Sequence, residues 1–423
     1  MLREDTPAEP TADRPGRHSA APPSLHSGLR GDLRPEAGHL DDSGIVAILN
    51  AAGHRDDIVP LWVGEGDLPS PPFIRDAVTR SLAAGETFYT YQRGIPELRQ
   101  ALLAYHQAHW ADFPHELERF YVTSSGMQAI QLATQATCGT GDEAIMTAPC
   151  WPNIHQAVHM AGATPVQVPL AFSQNGWSLD IDRLRDAVTA KTRMLFVNTP
   201  ANPTGWTADT ATLQAVLDLA RERELWIVAD EVYGRFTYEP IEGRERAPSF
   251  YDIVWPDDRV LFVNTFSKNW AMTGFRLGWI AAPPELGGTL ENMIQYASSG
   301  SPVFLQRAAV EALGPEGEAF FQFQRERAGA NRDMLCDMLR PHREAGRVAY
   351  ARPPAALYLF FRVRGETDSL KLALKLVDEA LVAPAPGSAF YSGGEGHLRL
   401  CFLRDPAQIA QAAERLDGWL SKL

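Results

Sequence analysis

Short apolar runs that end in polar residues constrain the fold of this chain more than any other feature. The runs cover residues 120–122, 144–146, 194–197, 225–229 and 260–263. Continuous apolar runs of this length are typical of strands that are covered on both faces. Between them, apolar residues at positions 213, 216, 217 and 220 recur with the period of a helix. This alternation predicts a mostly parallel sheet with helices on both sides.

Several polar or aromatic residues follow these runs directly. Parallel strands have their carboxyl ends at one edge of the sheet, and ligands bind beyond that edge. The pattern therefore predicts a site that contains Ser125, Trp151, Asn202, Asp230 and Lys268.

The 423 residues are enough for two domains. Residues 75–315 carry the alternating pattern and predict a three-layer large domain. Strands near 356–363 and 398–403 and helices near 316–340 and 366–381 predict a smaller α+β domain, formed by residues 316–423 together with 41–74. Residues 1–40 lack an apolar period and predict a mobile tail, with an arm that embraces a second subunit as the alternative.

Composition excludes several classes of function. The formal net charge of −13 and the absence of a dense Lys/Arg cluster argue against a nucleic-acid partner. The four cysteines form no C-x-x-C pair and no Cys/His group with metal-ligand spacing, so we expect neither disulfides nor a metal. No apolar run reaches membrane-spanning length and no signal-peptide core is visible, so we expect a cytoplasmic protein.

Two charged residues at strand ends suggest chemistry. Lys268 follows Ser267 directly, and Arg276 lies close behind. A lysine that attacks a carbonyl must first lose its proton, which a partly buried site near other cations favours. Asp230 ends a buried run, where a carboxylate is costly unless it is paired. A protonated ring nitrogen of a ligand would satisfy it, and the capping of a following helix is the alternative.

Two further segments have both a structural and a functional interpretation. Asn202-Pro203-Thr204-Gly205 reads first as a turn, whose amide side chain could donate to a ligand. Ser125 before Gly126 reads first as a helix cap. The free N–H groups of the same helix start form an anion site, to which Arg276 could contribute.

The ordered motifs resemble those of the class I and II aminotransferases, pyridoxal-phosphate enzymes of fold type I. The resemblance covers roughly residues 43–420. The segments that carry it are S-S-G-M, P-C-W-P-N, N-P-T-G, D-E-V-Y, S-K-N-W-A-M-T-G-F-R-L-G-W and H-L-R-L-C-F. It implies transfer of an amino group between an α-amino acid and a 2-oxo acid by a homodimer with shared active sites.

The resemblance also implies roles for individual residues. Lys268 would carry the cofactor and move protons, and Asp230 would pair with the pyridine nitrogen. Asn202 and Tyr233 would hold the ring hydroxyl oxygen, and Trp151 would stack on the ring. The phosphate ligands would be Ser125, the amides of Gly126 and Met127, Ser267 or Thr265, Arg276, and Tyr89 from the partner subunit. Gly64 and Arg399 would contact the substrate, Arg399 through its α-carboxylate.

The strand pattern gives independent support for Arg399. Leu398, Leu400 and Phe402 share one face of a predicted strand, so Arg399 faces the other way. It is either a solvent-facing side chain or a charged fork that points into the cleft between the domains.

Departures from the family pattern concern the substrate side. Some relatives bind the second carboxylate of a dicarboxylic substrate with a lysine or an arginine, and neither residue occurs at the corresponding position of this sequence. Ala355 and Tyr391 also stand where the family has glycines. We therefore expect a neutral, apolar or aromatic substrate rather than aspartate, with Met127, Trp151 and Tyr296 near its distal end. One alternative is a polar substrate, bound by Asn153 or by serines 298, 299 and 301. Another is that a cation such as Arg93 enters the site and pairs with a substrate carboxylate.

Two other functions remain open at this point. A pyridoxal-phosphate lyase, cyclase or oxidase would share the same cofactor site, because one fold supports many reactions. The other is a non-catalytic role, as a regulatory protein or a carrier of the cofactor. The complete set of site residues from Ser125 to Arg399 disfavours it.

Overall fold

A computed structural model describes residues 33–38, 40–110, 113 and 115–423. The chain divides into two units, Met1–Leu40 and Asp41–Leu423. The described part of the first unit contains one short helix, α1 (Pro35–Gly38). Most of the predicted mobile tail lies outside the described residues.

Helices and strands alternate through the second unit. The helices are α2 (Gly44–Ala52), α3 (Pro72–Ala83), α4 (Pro96–His109), α5 (Gly126–Thr137), α6 (Pro152–Met160), α7 (Ile181–Asp186), α8 (Thr210–Glu222), α9 (Gly287–Ser298), α10 (Val303–Ala312), α11 (Pro315–Glu344), α12 (Ser369–Glu379) and α13 (Pro406–Leu420). The strands are β1 (Val59–Pro60), β2 (Phe120–Thr123), β3 (Glu143–Ala148), β4 (Thr164–Pro169), β5 (Ala171–Ser173), β6 (Gly176–Ser178), β7 (Thr192–Asn198), β8 (Trp226–Asp230), β9 (Val260–Thr265), β10 (Gly278–Ala281), β11 (Val348–Tyr350), β12 (Tyr358–Val363), β13 (Val382–Ala383), β14 (Ala385–Pro386) and β15 (His397–Cys401).

The large sheet has seven strands in the order β2-β10-β9-β8-β7-β3-β4. Strand β10 runs antiparallel to both neighbours, and all other pairs are parallel. The five predicted apolar runs form β2, β3, β7, β8 and β9. Strands β4 and β10 were not predicted from the sequence. The prolines of β4 are tolerated because it lies at the edge of the sheet.

Both faces of the large sheet are buried, which explains its continuous apolar runs. Phe120 and Val122 belong to the core on one face, and Tyr121 between them belongs to the core on the other. Helix α8 covers one face with Leu213 and Val216, at the predicted helical spacing.

A second sheet in the order β11-β12-β15-β14 forms a separate hydrophobic core with parts of α2, α11, α12 and α13. The predicted fold class, a large mostly parallel α/β domain with a smaller α+β domain, is confirmed. The boundaries at residues 74 and 315 stay predictions. None of the described helices is long and apolar enough to cross a membrane.

One close backbone approach fixes the start of α5 against the sheet. A Cβ at Gly278 would lie 2.6 Å from the Gly126 nitrogen and 2.7 Å from the Asn264 carbonyl oxygen. Both neighbours are backbone atoms, which cannot rotate out of the way. A glycine is therefore required at this point of β10.

We predict that Gly278→Ala lowers the free energy of unfolding by about 1–3 kcal/mol, the usual range for overpacking. Gly274→Ala is the matched control, because a Cβ there has no neighbour within 4 Å. It should change stability by less than about 0.5 kcal/mol. Urea unfolding of the three proteins measures both effects, and equal stability of the two variants would contradict the packing argument.

Candidate active site

A cavity of about 390 Å³ opens at the carboxyl ends of the parallel strands. Residues from both sheets and from the segment before α3 form its wall. Most predicted site residues line it: Gly64, Gly126, Met127, Trp151, Asn202, Asp230, Tyr233, Thr265, Ser267, Lys268, Arg276 and Arg399. Ser125 and Tyr89 do not.

Asp230 ends β8 and is buried at the cavity wall, with 4% of its surface exposed. Among the described residues its carboxylate forms no ion pair, and its one hydrogen bond comes from the Val232 N–H at 3.3 Å. Burial raises the pKa of Asp230 to about 7, and the nearby Lys268 amine offsets this only in part. The carboxylate lacks a close cationic partner.

Lys268 lies in the same cavity wall, shortly after β9. Its amine donates a hydrogen bond to the Gly64 carbonyl oxygen at 2.7 Å. Burial lowers the pKa of Lys268 below its ordinary value of 10.5. A lowered pKa makes the neutral amine, which can attack a carbonyl or accept a proton, more accessible.

Arg399 reaches the cavity from β15 of the smaller sheet. Its guanidinium donates to Asn202 Oδ1 at 2.8 Å and to the Trp62 carbonyl oxygen. The rings of Tyr358 and Phe390 lie 4.5 and 4.8 Å from its central carbon. Its Nε has no partner among the described residues. These contacts hold the guanidinium in place and leave its Nε–H group free to bind an anion.

The Asn202 amide is oriented by its contact with Arg399. A guanidinium only donates hydrogen bonds, so the amide oxygen must face it. The N–H groups of Asn202 are therefore left for another acceptor, and the residue lines the cavity. The Asn198 side chain fixes this arrangement, since its oxygen accepts from the Asn202 backbone N–H at 2.8 Å and its nitrogen donates to the Asp230 carbonyl at 3.0 Å.

Helix α5 starts at the opposite side of the cavity. Ser125 caps it, with its Oγ accepting from the Gln128 N–H at 3.0 Å. The N–H groups of Gly126 and Met127 form no hydrogen bond with any described residue. They form the positive end of the helix, which favours an anion.

Three hydroxyl and guanidinium groups surround this helix start. The Thr265 hydroxyl donates to the Ser267 hydroxyl at 2.9 Å. Arg276 lines the cavity and donates to the Thr273 carbonyl oxygen at 2.6 Å. Together with α5 they provide the donors that a phosphate group requires.

Tyr89 and Tyr296 lie away from the cavity. They are 92% and 88% exposed, and neither belongs to the cavity wall of this chain. The placement of Tyr296 near the distal end of the substrate stays a prediction, because in this chain the end of α9 faces outward and Tyr296 could only reach the site of another subunit. Arg93 pairs with Glu291 at 2.9 Å and does not line the cavity either.

The two substituted glycine positions also lie outside the cavity wall. Ala355 is fully buried beside Gly205. Tyr391 adopts a positive φ of 65°, and its ring stacks on His155 at 4.0 Å. Neither substitution contacts the space available to a substrate.

Three lining residues that contact predicted site residues were given no role from the sequence. Asn198 ends β7 and satisfies the same strand-end criterion as Asp230, so the signal was present. Trp62 accepts from Arg399, and its indole N–H has no partner among the described residues. Tyr358, whose hydroxyl lies 2.6 Å from that of Tyr233, ends the family segment 353–358 in which Ala355 replaces a glycine, but no role was predicted for it.

Comparisons with known proteins show the family of the chain. The family profile of aminotransferase class I and II matches residues 56–416. The chain belongs to this family. The aspartate aminotransferase of Pyrococcus horikoshii is 30% identical over 89% of this chain and 94% of its own length. The aromatic-amino-acid aminotransferase 2 of Thermococcus litoralis is 30% identical over 90% of this chain and 97% of its own.

A solved structure supports the same assignment. A mutant of the Thermus thermophilus aspartate aminotransferase superposes with a TM-score of 0.82 at 31% identity, covering 91% of this chain and 99% of the other. The predicted function, amino-group transfer between an amino acid and a 2-oxo acid, is confirmed. The family uses pyridoxal phosphate.

Asp230 generates a prediction about the ligand-free aminotransferase. Because the folded pKa lies at about 7 and the ordinary value is 3.8, the folded chain holds this proton more tightly than the unfolded chain. Stability is therefore lost as the pH rises from about 4 to 7, by on the order of 4 kcal/mol for the full shift. Asp230→Asn should remove this loss, being more stable than the wild type near pH 8 but not near pH 4.

Urea unfolding at several pH values, with cofactor removed, tests this. Asp209→Asn is the control with the opposite sign. Asp209 caps α8 through the Thr212 N–H, and this bond lowers its pKa. The control should lose stability, mainly above the ordinary pKa of Asp209. A pH-independent difference for Asp230→Asn would contradict the burial argument.

Proposed function

We propose that this aminotransferase binds pyridoxal phosphate covalently through Lys268 and acts on α-amino acids with neutral side chains. The observation that carries the proposal is that the buried Asp230 and the half-buried Lys268 lie in one cavity, with their pKa values moved in opposite directions. Such pairs mark acid and base roles.

The residues of the cavity fit this cofactor. The unpaired Asp230 carboxylate matches a ring nitrogen that carries a proton. Asn202 and Tyr233 supply donors for the ring oxygen, and Trp151 supplies an aromatic face. The start of α5, with Ser125, Thr265, Ser267 and Arg276, supplies donors for a phosphate. The bound cofactor supplies an electron sink for negative charge at the substrate Cα.

The protein groups position the substrate and move its proton. Arg399 binds the α-carboxylate through the donors that Asn202 and Trp62 leave free. Displaced from the cofactor by the substrate amine, the neutral Lys268 amine would accept the proton from the substrate Cα and hold it for return. The Asp230 carboxylate keeps the ring nitrogen protonated throughout. Lys268 is thus the general acid and base.

A single half-reaction tests the proposed chemistry against the lyase, cyclase and oxidase alternative. An amino acid labelled with nitrogen-15 is mixed with the loaded enzyme without an acceptor. We expect about one labelled amino group per site on the extracted cofactor and one equivalent of 2-oxo acid, as in any two-step transfer. Label released as free ammonia with the cofactor unchanged would contradict the proposal.

We also propose a homodimer in which Tyr89 contacts the phosphate of the partner's site. Four large aromatic side chains support an interface, since Phe88, Tyr89, Tyr91 and Tyr296 are each at least 64% exposed. A hydrogen bond of 2.7 Å between Gln92 and Gln295 joins the two segments that carry them. Exposed aromatic groups of this size are typical of interaction surfaces.

Mixing two inactive variants tests the shared site. If Tyr89 acts in the partner's site, a hybrid of Tyr89→Ala and Lys268→Ala contains one intact site. Random mixing of symmetric dimers should then restore about a quarter of wild-type activity. Asp230→Asn mixed with Lys268→Ala is the control, and it should restore none because both defects lie in the same site. Recovery in neither mixture would contradict shared sites.

The preference for a neutral substrate rests on the charges of the cavity wall. Its cations are Lys268, Arg276 and Arg399, which the cofactor and the α-carboxylate use. Of the charged groups lining the wall, only Glu65 remains without a proposed role, and it is negative. A second substrate carboxylate would be buried without a partner, which is costly.

We therefore expect a higher kcat/KM for phenylalanine, leucine or alanine than for aspartate, with one fixed 2-oxo acid as acceptor. Met127→Lys places a cation in the wall and should raise the aspartate-to-phenylalanine ratio about tenfold, the effect of one charge-assisted hydrogen bond. Met127→Leu is the neutral control. A wild-type preference for aspartate would overturn the substrate proposal and leave the cofactor proposal standing.

We further propose a cytoplasmic location. All four cysteines are free and buried, and burial raises the pKa of the Cys150 thiol to about 12. Unpaired buried cysteines are typical of a reducing compartment.

A further inference from the structure

Tyr358 is the first residue of β12, the central strand beside β15 in the smaller sheet. It is fully buried and lines the cavity. Its neighbour Phe360 lies directly opposite Arg399 in the strand register. Tyr358 thus belongs to the smaller sheet but faces groups of both sheets.

Three contacts connect Tyr358 with the proposed binding groups. Its hydroxyl lies 2.6 Å from the Tyr233 hydroxyl. Its ring lies 4.5 Å from the central carbon of the Arg399 guanidinium. A Cβ at Gly64 would come 2.4 Å from its hydroxyl oxygen, so the Gly64 backbone packs closely against the Tyr358 side chain.

The proposed role of Tyr233 sets the direction of the hydrogen bond between the two hydroxyl groups. Each tyrosine has one hydrogen to donate, and only one can lie between the two oxygens. In either direction the second hydrogen has no acceptor among the described residues, and both tyrosines line the cavity. If Tyr233 gives its hydrogen to the ring oxygen of a bound cofactor, Tyr358 is the donor within the pair.

We propose that Tyr358 is a positioning residue that acts through two others. Its hydroxyl donates to Tyr233 and thereby directs the Tyr233 hydrogen toward the ring oxygen of the cofactor. Its ring supports the guanidinium of Arg399 and thereby orients the fork for the α-carboxylate. The inference rests on the proposed function and assigns two separable effects to one side chain.

Tyr358→Phe removes the hydroxyl and keeps the ring. A hydrogen bond donated to the ring oxygen stabilises the unprotonated form of that oxygen. Without the Tyr358 hydroxyl, the Tyr233 hydrogen is no longer directed there. The pH midpoint of the bound cofactor's visible absorbance should therefore rise by about one unit, the effect of one hydrogen bond. The KM for amino acid should stay within about twofold, because the ring contact with Arg399 remains.

Tyr358→Leu removes the ring as well. It should show the same absorbance shift and, in addition, an increase in KM for both amino acid and 2-oxo acid of about tenfold, within the range of a cation–π contact. The affinity for pyridoxal phosphate itself should differ little between the two variants, because the lost ring supports only the substrate fork.

Two further proteins separate positioning from general damage. Tyr233→Phe should shift the midpoint itself, and adding Tyr358→Phe should produce no further shift, because the second residue acts through the first. Tyr350→Phe is the matched control. Tyr350 is a buried tyrosine of the same sheet, its hydroxyl donates to the Cys336 carbonyl at 2.7 Å, and it lies outside the cavity wall. It should change neither midpoint nor KM.

The expected result is a shift in Tyr358→Phe that vanishes in the Tyr233→Phe background and is absent from Tyr350→Phe. The inference would be overturned if Tyr358→Phe left the pH midpoint unchanged, if the two shifts added in the double variant, or if Tyr350→Phe showed the same shift. The wild-type absorbance band would still support the bound cofactor in each case. A wild-type protein with no cofactor band would overturn the proposed function, and this inference with it.

Discussion

The burial of the Asp230 carboxylate without an ion pair is the constraint on which the rest of the cavity depends. At the end of β8 it has lost water and receives only one weak hydrogen bond from a described residue. Such a group is stable in its charged form only when a ligand brings a positive charge. Lys268 is destabilised as a cation by the same burial. The cavity therefore fits a cofactor that would pair with the Asp230 carboxylate and bond covalently to the Lys268 amine.

The two sheets contribute different parts of this arrangement. The large sheet holds Asp230 rigidly, because Asn198 on the next strand fixes the Asp230 backbone. The smaller sheet contributes Arg399, whose hydrogen bond is accepted by Asn202 in the turn after β7 of the large sheet. In the proposed assignment, a carboxylate bound at Arg399 would therefore be coupled through Asn202 to the groups that hold the cofactor.

Much of this site could be predicted from the sequence, because strand ends in a parallel sheet must meet. Asp230 and Lys268 each follow a continuous apolar run, and the runs became adjacent strands with both faces buried. The direction of Arg399 was predicted from alternation along one strand, because Leu398, Leu400 and Phe402 share the opposite face. The pattern of apolar and polar residues is sufficient to predict a site residue where a single strand determines the direction of its side chain.

Other features depend on contacts that no local pattern encodes. The requirement for Gly278 comes from the nitrogen of Gly126, far away in the chain. The bond between Tyr358 and Tyr233 joins two sheets, and its sequence separation is 125 residues. Tyr296 stays a prediction, because its motif position does not say which subunit's cavity it faces. These are tertiary relations, and only the folded structure provides them.

The most direct test of the central claim is to locate the cofactor on the chain. The sequence contains five lysines, of which Lys268 alone lines the cavity. The protein is loaded with pyridoxal phosphate, reduced with borohydride and digested, and the modified peptide is identified by mass spectrometry. The account predicts one modification, on Lys268, and none in a Lys268→Arg variant that keeps the charge. Modification of another lysine at the same stoichiometry, or retention of the adduct in the variant, would contradict it.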